Sequence, residues 1–228
     1  MISSLIKNGM KGIANIPGDK SISHRSIIIP SVSNGICEIS NILKSEDVMH
    51  TLNAFKKMGV RIEENKDKII IYGNGLNSLK KPDGEIYLGN SGTSARLLTG
   101  LLSSQKFDSV LTGDNSLSKR PMLRISDPLN MMNANVTTSD GCLPLYIKGS
   151  NIMPKSIDLQ IPSAQIKSGV LLASLKTKGE TKIIEHKITR DHTETMLEAF
   201  GSNIQIEKFQ NKKIIKIIGK KELLSKNI

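Results

Sequence analysis

One pattern occurs three times along the chain and constrains the fold more than any other feature. Each copy has a helix end, a Gly or Asn, a β-rich run, a polar turn, a second β-rich run and a final glycine. The copies are AFKKMGVRIEENKDKIIIYG (54–73), PLNMMNANVTTSDGCLPLYIKG (128–149) and MLEAFGSNIQIEKFQNKKIIKIIG (196–219). Such self-similarity predicts one supersecondary unit that is copied three times.

The first half of each copy also matches. A loop of small polar residues leads into an apolar helix and a short strand; the loops are KSISHRS (20–26), GNSGTSAR (89–96) and PSAQIKS (162–168). The unit is therefore predicted to be β-α-β-α-β-β, with copies near 13–75, 84–150 and 156–220. Because one unit cannot bury its apolar helix alone, we expect an α/β (α+β) fold with helices inside and sheets outside, as a single domain over residues 1–228.

Local signals mark the ends of several helices. Gly59, Asn133 and Gly201 follow the second helix of each copy, where a residue with a positive φ ends a helix well. Pro30 stands inside the first apolar helix, so it should kink or shorten that helix.

Composition narrows the class of protein. The chain has 228 residues, of which 38% are hydrophobic, and no apolar stretch approaches the roughly 20 residues of a membrane span. The N-terminus lacks the apolar run of a signal peptide, so we expect a soluble cytoplasmic protein. Cys37 and Cys142 are the only cysteines, and the four histidines are scattered, so no metal site is expected.

The formal net charge of +11 leaves two kinds of partner open. A basic chain can be a non-catalytic RNA-binding module, whose affinity would fall steeply with salt. Aromatic residues are only 3% and tryptophan is absent, so stacking platforms for single strands are scarce. The charge suits phosphorylated or carboxylated small molecules equally well.

The three polar loops favour a site for a small anion. Each loop precedes a helix start, where free N–H groups and a partial positive charge attract anions. The cations near the helix starts fall into a first set, Lys20, Arg25 and Arg96, and a second set, Lys44, Arg120 and Arg190. Arginine binds phosphate and carboxylate with two donors, whereas a desolvated lysine can also carry a proton.

These residues closely resemble those of the 5-enolpyruvylshikimate-3-phosphate synthases. The matching stretches are PGDKSISHRS, LGNSGTSARLL, LTGDNSLSKRPM, PSAQIKSGVLLA and TRDHTETML, in family order over nearly the whole chain. The resemblance implies a fold of two similar domains, each built from three β-α-β-α-β-β units. It also implies transfer of the enolpyruvyl group from phosphoenolpyruvate to the 5-hydroxyl of shikimate 3-phosphate, in chorismate biosynthesis, with no cofactor.

The resemblance also assigns roles to particular residues. It implies that Lys20, the catalytic candidate, holds shikimate 3-phosphate and faces phosphoenolpyruvate. The other residues implied to bind shikimate 3-phosphate are Ser21, Arg25, Ser163, Ala164, Gln165 and Arg190, with Gln165 reaching both substrates. Phosphoenolpyruvate is expected at Gly92 and Arg120, with Thr93 beside them. Ala164 stands where many members carry serine.

One departure from the family pattern is large. The chain holds three units, about half of a full synthase, and the family's other domain carries an acidic catalytic residue, a lysine and two arginines that clamp phosphoenolpyruvate. We therefore expect that a second domain is needed in cis or in trans, and that the chain alone has negligible catalytic activity. The related UDP-N-acetylglucosamine enolpyruvyl transferases are a second alternative. They usually carry a cysteine near the position of Arg120, whereas this loop reads SLSKRP.

Overall fold

The computed structural model of the chain describes residue 12 and residues 16–66, 68–210 and 212–228. The helices are α1 (Lys20–Ser31), α2 (Glu46–Lys57), α3 (Gly92–Ser103), α4 (Leu123–Met131), α5 (Ala164–Ser174) and α6 (His192–Ala199), with a short 3₁₀ helix at Leu117–Lys119. The strands are β1 (Asn34–Ser40), β2 (Arg61–Glu64), β3 (Lys68–Asn74), β4 (Ile86–Tyr87), β5 (Ser109–Thr112), β6 (Asn135–Ser139), β7 (Cys142–Lys148), β8 (Ser156–Leu159), β9 (Glu180–Glu185), β10 (Asn203–Lys208) and β11 (Lys213–Ile218).

The strands form three sheets that surround the apolar helices. The sheet orders are β1-β3-β2, β4-β5-β7-β6 and β8-β9-β11-β10. In the second and third sheets the first strand pairs with the next in parallel, and the remaining pairs are antiparallel. Helices α1, α3 and α5 are buried over most of their length. The predicted fold, with helices inside and sheets outside, is confirmed, whereas the boundaries of the three units remain predictions.

The predicted helix ends are where the sequence places them. Gly59, Asn133 and Gly201 have φ values of +84°, +67° and +85° and follow α2, α4 and α6. Helix α1 includes Pro30 as its penultimate residue and has 12 residues, as many as α3, so the expected shortening by the proline is not seen.

Two glycines let the central helices α3 and α5 approach closely. A Cβ atom on Gly100 would lie 1.9 Å from the carbonyl oxygen of Gly169, and a Cβ on Gly169 would lie 2.8 Å from the carbonyl oxygen of Arg96. Both distances are shorter than any real contact with a Cβ. The middle of α5 therefore packs directly against the backbone of α3 around Arg96 and Gly100.

The end of the chain completes the first sheet. A parallel bridge joins Asn34 to Leu224, and the Ile228 N–H donates to the Glu38 carbonyl (2.9 Å). In the other two sheets the equivalent place belongs to β4 and β8, the parallel first strands of their units. The segment 223–228 thus occupies the place of a leading strand in the first copy.

The repeat pattern predicts that strand before Lys20 instead. Residues 13–15 of the expected first copy lie outside the described residues, and residues 16–19 contain no strand. The prediction assumes that all strands of a unit come from that unit's own stretch of sequence. The segment that pairs with β1 instead comes from residues 223–228, far along the chain.

The C-terminal segment also covers a cysteine, which yields a prediction. Cys37 is fully buried, its Sγ lies 3.0 Å from the Lys226 carbonyl oxygen, and burial raises the pKa of its thiol to about 12. Truncation after Glu222 should expose this thiol and speed its alkylation by about tenfold for each pKa unit that it falls. The rate can be measured with iodoacetamide in a Cys142→Ser background. Equal protection of Cys37 in the full and truncated chains would contradict the role given to segment 223–228.

Candidate functional site

The three central helices begin in the same way. In each, the side chain of the residue before the helix accepts a hydrogen bond from the backbone N–H of the third helical residue. The pairs are Asp19–Ile22 (2.8 Å) in α1, Ser91–Ser94 (3.2 Å) in α3 and Ser163–Ile166 (3.4 Å) in α5. Each cap satisfies one N–H group of the first turn and fixes the helix start, where the helix dipole favours a negatively charged ligand.

The helix starts converge on one open cavity of about 600 Å³. Its walls include the first two residues of α1 and α3, the second residue of α5 and two arginines from the loops before α4 and α6. The lining residues are Asp19, Lys20, Ser21, Asp47, Asn90, Gly92, Thr93, Arg120, Gln165 and Arg190. Seven of the ten predicted site residues therefore share one cavity, and Arg25, Ser163 and Ala164 are outside its lining.

Each cation at the cavity wall already has a protein partner. Lys20 forms an ion pair with Asp47, and Arg120 donates to the Asn90 side-chain oxygen. Arg190 donates from Nη1 to the Ser21 hydroxyl (3.1 Å). An anionic ligand would compete with these neutral or acidic partners for the same donors.

Asp47 and Asn90 are lining residues that sequence reasoning did not identify. Asp47 forms an ion pair with Lys20, although Lys44 is nearer to it in sequence. The Lys44 ammonium instead donates to the backbone carbonyls of Asn65 and Lys66 (3.0 Å each), at the turn between β2 and β3. The available signal was position, because Asp47 lies in the first turn of α2, directly after the loop that carries Lys44.

A polar bridge joins α3 to α5 at the cavity floor. Arg96 donates from Nη1 to Gln165 Oε1 (2.8 Å), and Gln165 Nε2 donates to the Thr93 hydroxyl (3.0 Å). Burial, and then the neighbouring Arg120 and Arg124, lower the pKa of Arg96. The bridge fixes the side-chain amide of Gln165. Arg96, a cation of the first set, thus contacts a lining residue without lining the cavity itself.

Arg25 lies deeper than the sequence analysis expects. Its side chain is 3% exposed and donates to the Thr193 hydroxyl from Nε (2.5 Å), to the Ser21 carbonyl from Nη1 (2.7 Å) and to the Ser168 hydroxyl from Nη2 (2.7 Å). Burial lowers the pKa of Arg25 to about 10. In this structure Arg25 joins α1 to α5 and α6 behind the cavity, and its contact with a ligand remains a prediction.

His24 belongs to a buried chain of hydroxyl groups. Its Nδ1 lies 2.8 Å from Thr51 Oγ1, which lies 2.5 Å from Ser94 Oγ, and Ser91 Oγ is 2.6 Å from Ser94 Oγ. Burial, aided by Lys20 and opposed by Asp47, lowers the pKa of His24 to about 4. His24 is therefore neutral at pH 7 and connects α1, α2 and α3 beneath the cavity.

The buried His24 gives a pH-dependent stability. In the unfolded chain its pKa is near 6.5, so between about pH 6.5 and 4 the unfolded state binds a proton that the folded state does not. Stability should fall as pH falls through this window, by about 3 kcal/mol in total at 1.36 kcal/mol per pKa unit. Urea unfolding of wild type and His24→Asn at several pH values measures this.

The test compares how steeply the free energy of unfolding falls with pH in each variant, not its value at one pH. The His24→Asn variant should lose part of the wild-type decline, whereas His186→Asn removes an exposed imidazole that is paired with Asp158 (2.7 Å) and should not lessen the decline. If the His24→Asn and wild-type curves stay parallel from pH 6.5 to 4, His24 is not a buried neutral imidazole.

Over the described ranges, no group of three or more His, Cys, Asp or Glu side chains is placed to hold a metal ion. In the same part of the chain, none of the helices is both long enough and apolar enough to span a bilayer.

Comparisons with known proteins identify one family that this chain is similar to. A family model described as EPSP synthase (3-phosphoshikimate 1-carboxyvinyltransferase) matches residues 6–228. The curated 3-phosphoshikimate 1-carboxyvinyltransferase of Ruthia magnifica is 54% identical over 202 residues, covering 88% of this chain and 46% of that protein. The enzyme of the same name from Legionella pneumophila (strain Corby) is 52% identical over 206 residues, covering 87% and 46%.

A solved structure gives the same result. The EPSP synthase of Acinetobacter baumannii superposes with a TM-score of 0.89 at 48% identity, covering 95% of this chain and 49% of that one. The chain thus spans about half the length of the relatives it matches. The family model, the identities and the superposition together confirm the resemblance: this chain belongs to the EPSP synthase family.

Proposed function

We propose that the cavity at the three helix starts binds shikimate 3-phosphate and phosphoenolpyruvate for 3-phosphoshikimate 1-carboxyvinyltransferase activity. The observation that carries this proposal is the convergence of three capped helix N-termini and three cations, Lys20, Arg120 and Arg190, on one cavity. Both substrates are small, phosphorylated and carboxylated, so they suit such a cavity. The cytoplasmic location expected from the sequence remains a prediction.

The residues divide between the two substrates. Lys20, Ser21, Gln165 and Arg190, with Ser163 and Ala164 at the start of α5, are proposed to hold shikimate 3-phosphate. Gly92, Thr93 and Arg120 are proposed to hold phosphoenolpyruvate. Support comes from placement, because Gln165 and Thr93 are hydrogen-bonded (3.0 Å), so both groups lie within reach of neighbouring ligands.

The chemistry of the site is mostly electrostatic. The donors at the helix starts are fixed before a ligand arrives, so they favour negative charge without reorganisation. Lys20 is half exposed and paired with Asp47, which places a proton donor and an acceptor together at the cavity wall. We assign to Lys20 the transfer of a proton during the reaction, in addition to binding.

The proposed reaction needs residues beyond those described. A surface with one open side cannot exclude water from a charged reaction centre, and exclusion strengthens every interaction there. We therefore propose that a second domain, in cis or in trans, covers the cavity, and that the 228-residue chain binds shikimate 3-phosphate but turns over negligibly alone.

Binding to the 228-residue chain tests the proposal. Lys20→Ala should weaken binding of shikimate 3-phosphate by about tenfold, because it removes a charged hydrogen-bond donor worth about 1.5–3 kcal/mol. Lys44→Ala is the matched control, since the Lys44 ammonium caps a hairpin turn outside the cavity lining. Isothermal titration of both variants gives the affinities. Absence of binding to the wild-type chain, or equal weakening by both variants, would count against the site.

A further inference from the structure

Behind the cavity, the third unit contains four fully or nearly fully buried charges. Lys167 of α5 pairs with Glu185 at the end of β9 (2.9 Å) and with Glu194 of α6 (2.8 Å). Lys213, at the start of β11, also pairs with Glu194 (2.9 Å). All four side chains are at most 1% exposed, and the Thr189 hydroxyl donates to Glu185 (2.5 Å). Two cations and two anions balance, which is the condition for keeping charges in a protein interior.

This charge cluster adjoins the contacts of Arg25. Thr193 precedes Glu194 in the first turn of α6, and its hydroxyl accepts from Arg25 Nε (2.5 Å) and donates to Ser168 Oγ (2.7 Å). Ser168 lies next to Lys167 on α5 and accepts from Arg25 Nη2 (2.7 Å). The Thr193 and Ser168 hydroxyls therefore each accept a hydrogen bond from the Arg25 guanidinium. The ion pair between Lys167 and Glu194 joins α5 to α6, the two helices that carry these hydroxyls.

The third nitrogen of the Arg25 guanidinium contacts a residue of the cavity wall. Its Nη1 donates to the Ser21 carbonyl (2.7 Å), and the Ser21 hydroxyl accepts from Arg190 (3.1 Å). Any shift of Arg25 would therefore move Ser21, and with it the partner of Arg190. The three hydrogen bonds of Arg25 go to uncharged oxygens. One carboxylate oxygen of Glu194, Oε2, is buried and accepts no hydrogen bond from the described residues.

We infer that Thr193, held by the buried cluster Lys167–Glu185–Glu194–Lys213, is a positioning residue that orients Arg25 and through it the wall at Ser21 and Arg190. Thr193 itself is 1% exposed and is not part of the cavity lining, so it acts through other side chains. The inference rests on the proposed function in one respect: the ligand whose binding it controls is shikimate 3-phosphate.

The test replaces the hydroxyl while keeping the shape. Thr193→Val removes the acceptor for Arg25 Nε and leaves a buried donor without a partner, so affinity for shikimate 3-phosphate should fall by about tenfold. Thr193→Ser keeps the hydroxyl and should retain wild-type affinity. Thr195→Val, at an exposed position of the same helix, is the control and should change nothing.

Affinity is measured by titration at a temperature where each variant is more than about 99% folded, since loss of stability alone does not change the affinity of folded protein. If Thr193→Val does not fold, Ser168→Ala takes its place, because it removes the acceptor of Arg25 Nη2. Equal affinity of the folded valine variant and the wild type would overturn the inference.

A second readout does not depend on the ligand. The Arg25 Nε–H signal, identified by its loss in Arg25→Lys, should exchange slowly with solvent in wild type and Thr193→Ser and rapidly in Thr193→Val. If the wild-type chain does not bind shikimate 3-phosphate, the proposed function fails, but the exchange rates still decide whether Thr193 holds Arg25. Unchanged exchange in Thr193→Val would reject the positioning role even where binding is observed.

Discussion

Replacing Glu194 by glutamine should lower the free energy of unfolding by about 3–5 kcal/mol, because removal of one partner leaves uncompensated charge in the interior. Glu194 Oε1 accepts from both Lys167 (2.8 Å) and Lys213 (2.9 Å), and each of these three side chains is essentially unexposed. After the change only Glu185 would balance two buried ammonium groups. Urea unfolding at pH 7 measures the loss.

Two further variants identify the cause of this loss. Glu194→Gln combined with Lys213→Met leaves one cation and one anion, so it should recover most of the lost stability. Glu207→Gln breaks the partly exposed pair with Lys216 in the neighbouring hairpin and should cost less than about 1 kcal/mol. If the single variant is as stable as wild type, or the double variant is no better than the single, the cluster is not the charge-balanced unit described above.

Gly100→Ala should lower the free energy of unfolding by about 2–3 kcal/mol, at the upper end of the roughly 1–3 kcal/mol typical of overpacking in a core. The new Cβ would meet the backbone of Gly169, at 1.9 Å from its carbonyl oxygen, and backbone in a central helix cannot move aside as a flexible side chain can. In an open helix the same change would stabilise by up to about 1 kcal/mol, so the sign of the effect reports the packing of α3 on α5.

An alanine at an exposed helical position is the control for Gly100→Ala. Asn53 lies on the exposed face of α2, and Asn53→Ala should be neutral or slightly stabilising. Thermal or urea unfolding of both variants is sufficient. A Gly100→Ala variant as stable as wild type would mean that the two helices are not in backbone contact at this point.

Local chemistry made much of the fold predictable from sequence. Gly59, Asn133 and Gly201 end their helices at positive φ as the sequence indicates, because few other residues take that conformation. The polar segments 20–26, 89–96 and 162–168 do mark helix starts, because capping needs only neighbours in sequence. Their assignment as loops was wrong, since α1 begins at Lys20, α3 at Gly92 and α5 at Ala164, so most of these residues lie in the first turns of the helices.

Contacts between distant segments could not be predicted in the same way. The sequence analysis placed Arg25 with the ligand groups, yet its partners Ser168 and Thr193 lie more than 140 residues away and enclose it. The buried pairing of Lys167 with Glu194 escaped notice because a lysine on an apolar helix and a glutamate near a helix start both look like surface residues. The pairing of segment 223–228 with β1 could not be predicted because nothing local specifies which edge a short segment joins.

Chemical-shift mapping of the amide signals during a shikimate 3-phosphate titration tests the central claim most directly. The chain has a second, larger cavity of about 1070 Å³, which includes Lys106, Lys176 and Lys220 and offers an anion an alternative basic surface. The account predicts that the largest shifts occur at the three helix starts, around Ser21, Thr93 and Gln165. Shifts confined to the lysine-lined cavity, or no shifts at all, would contradict it.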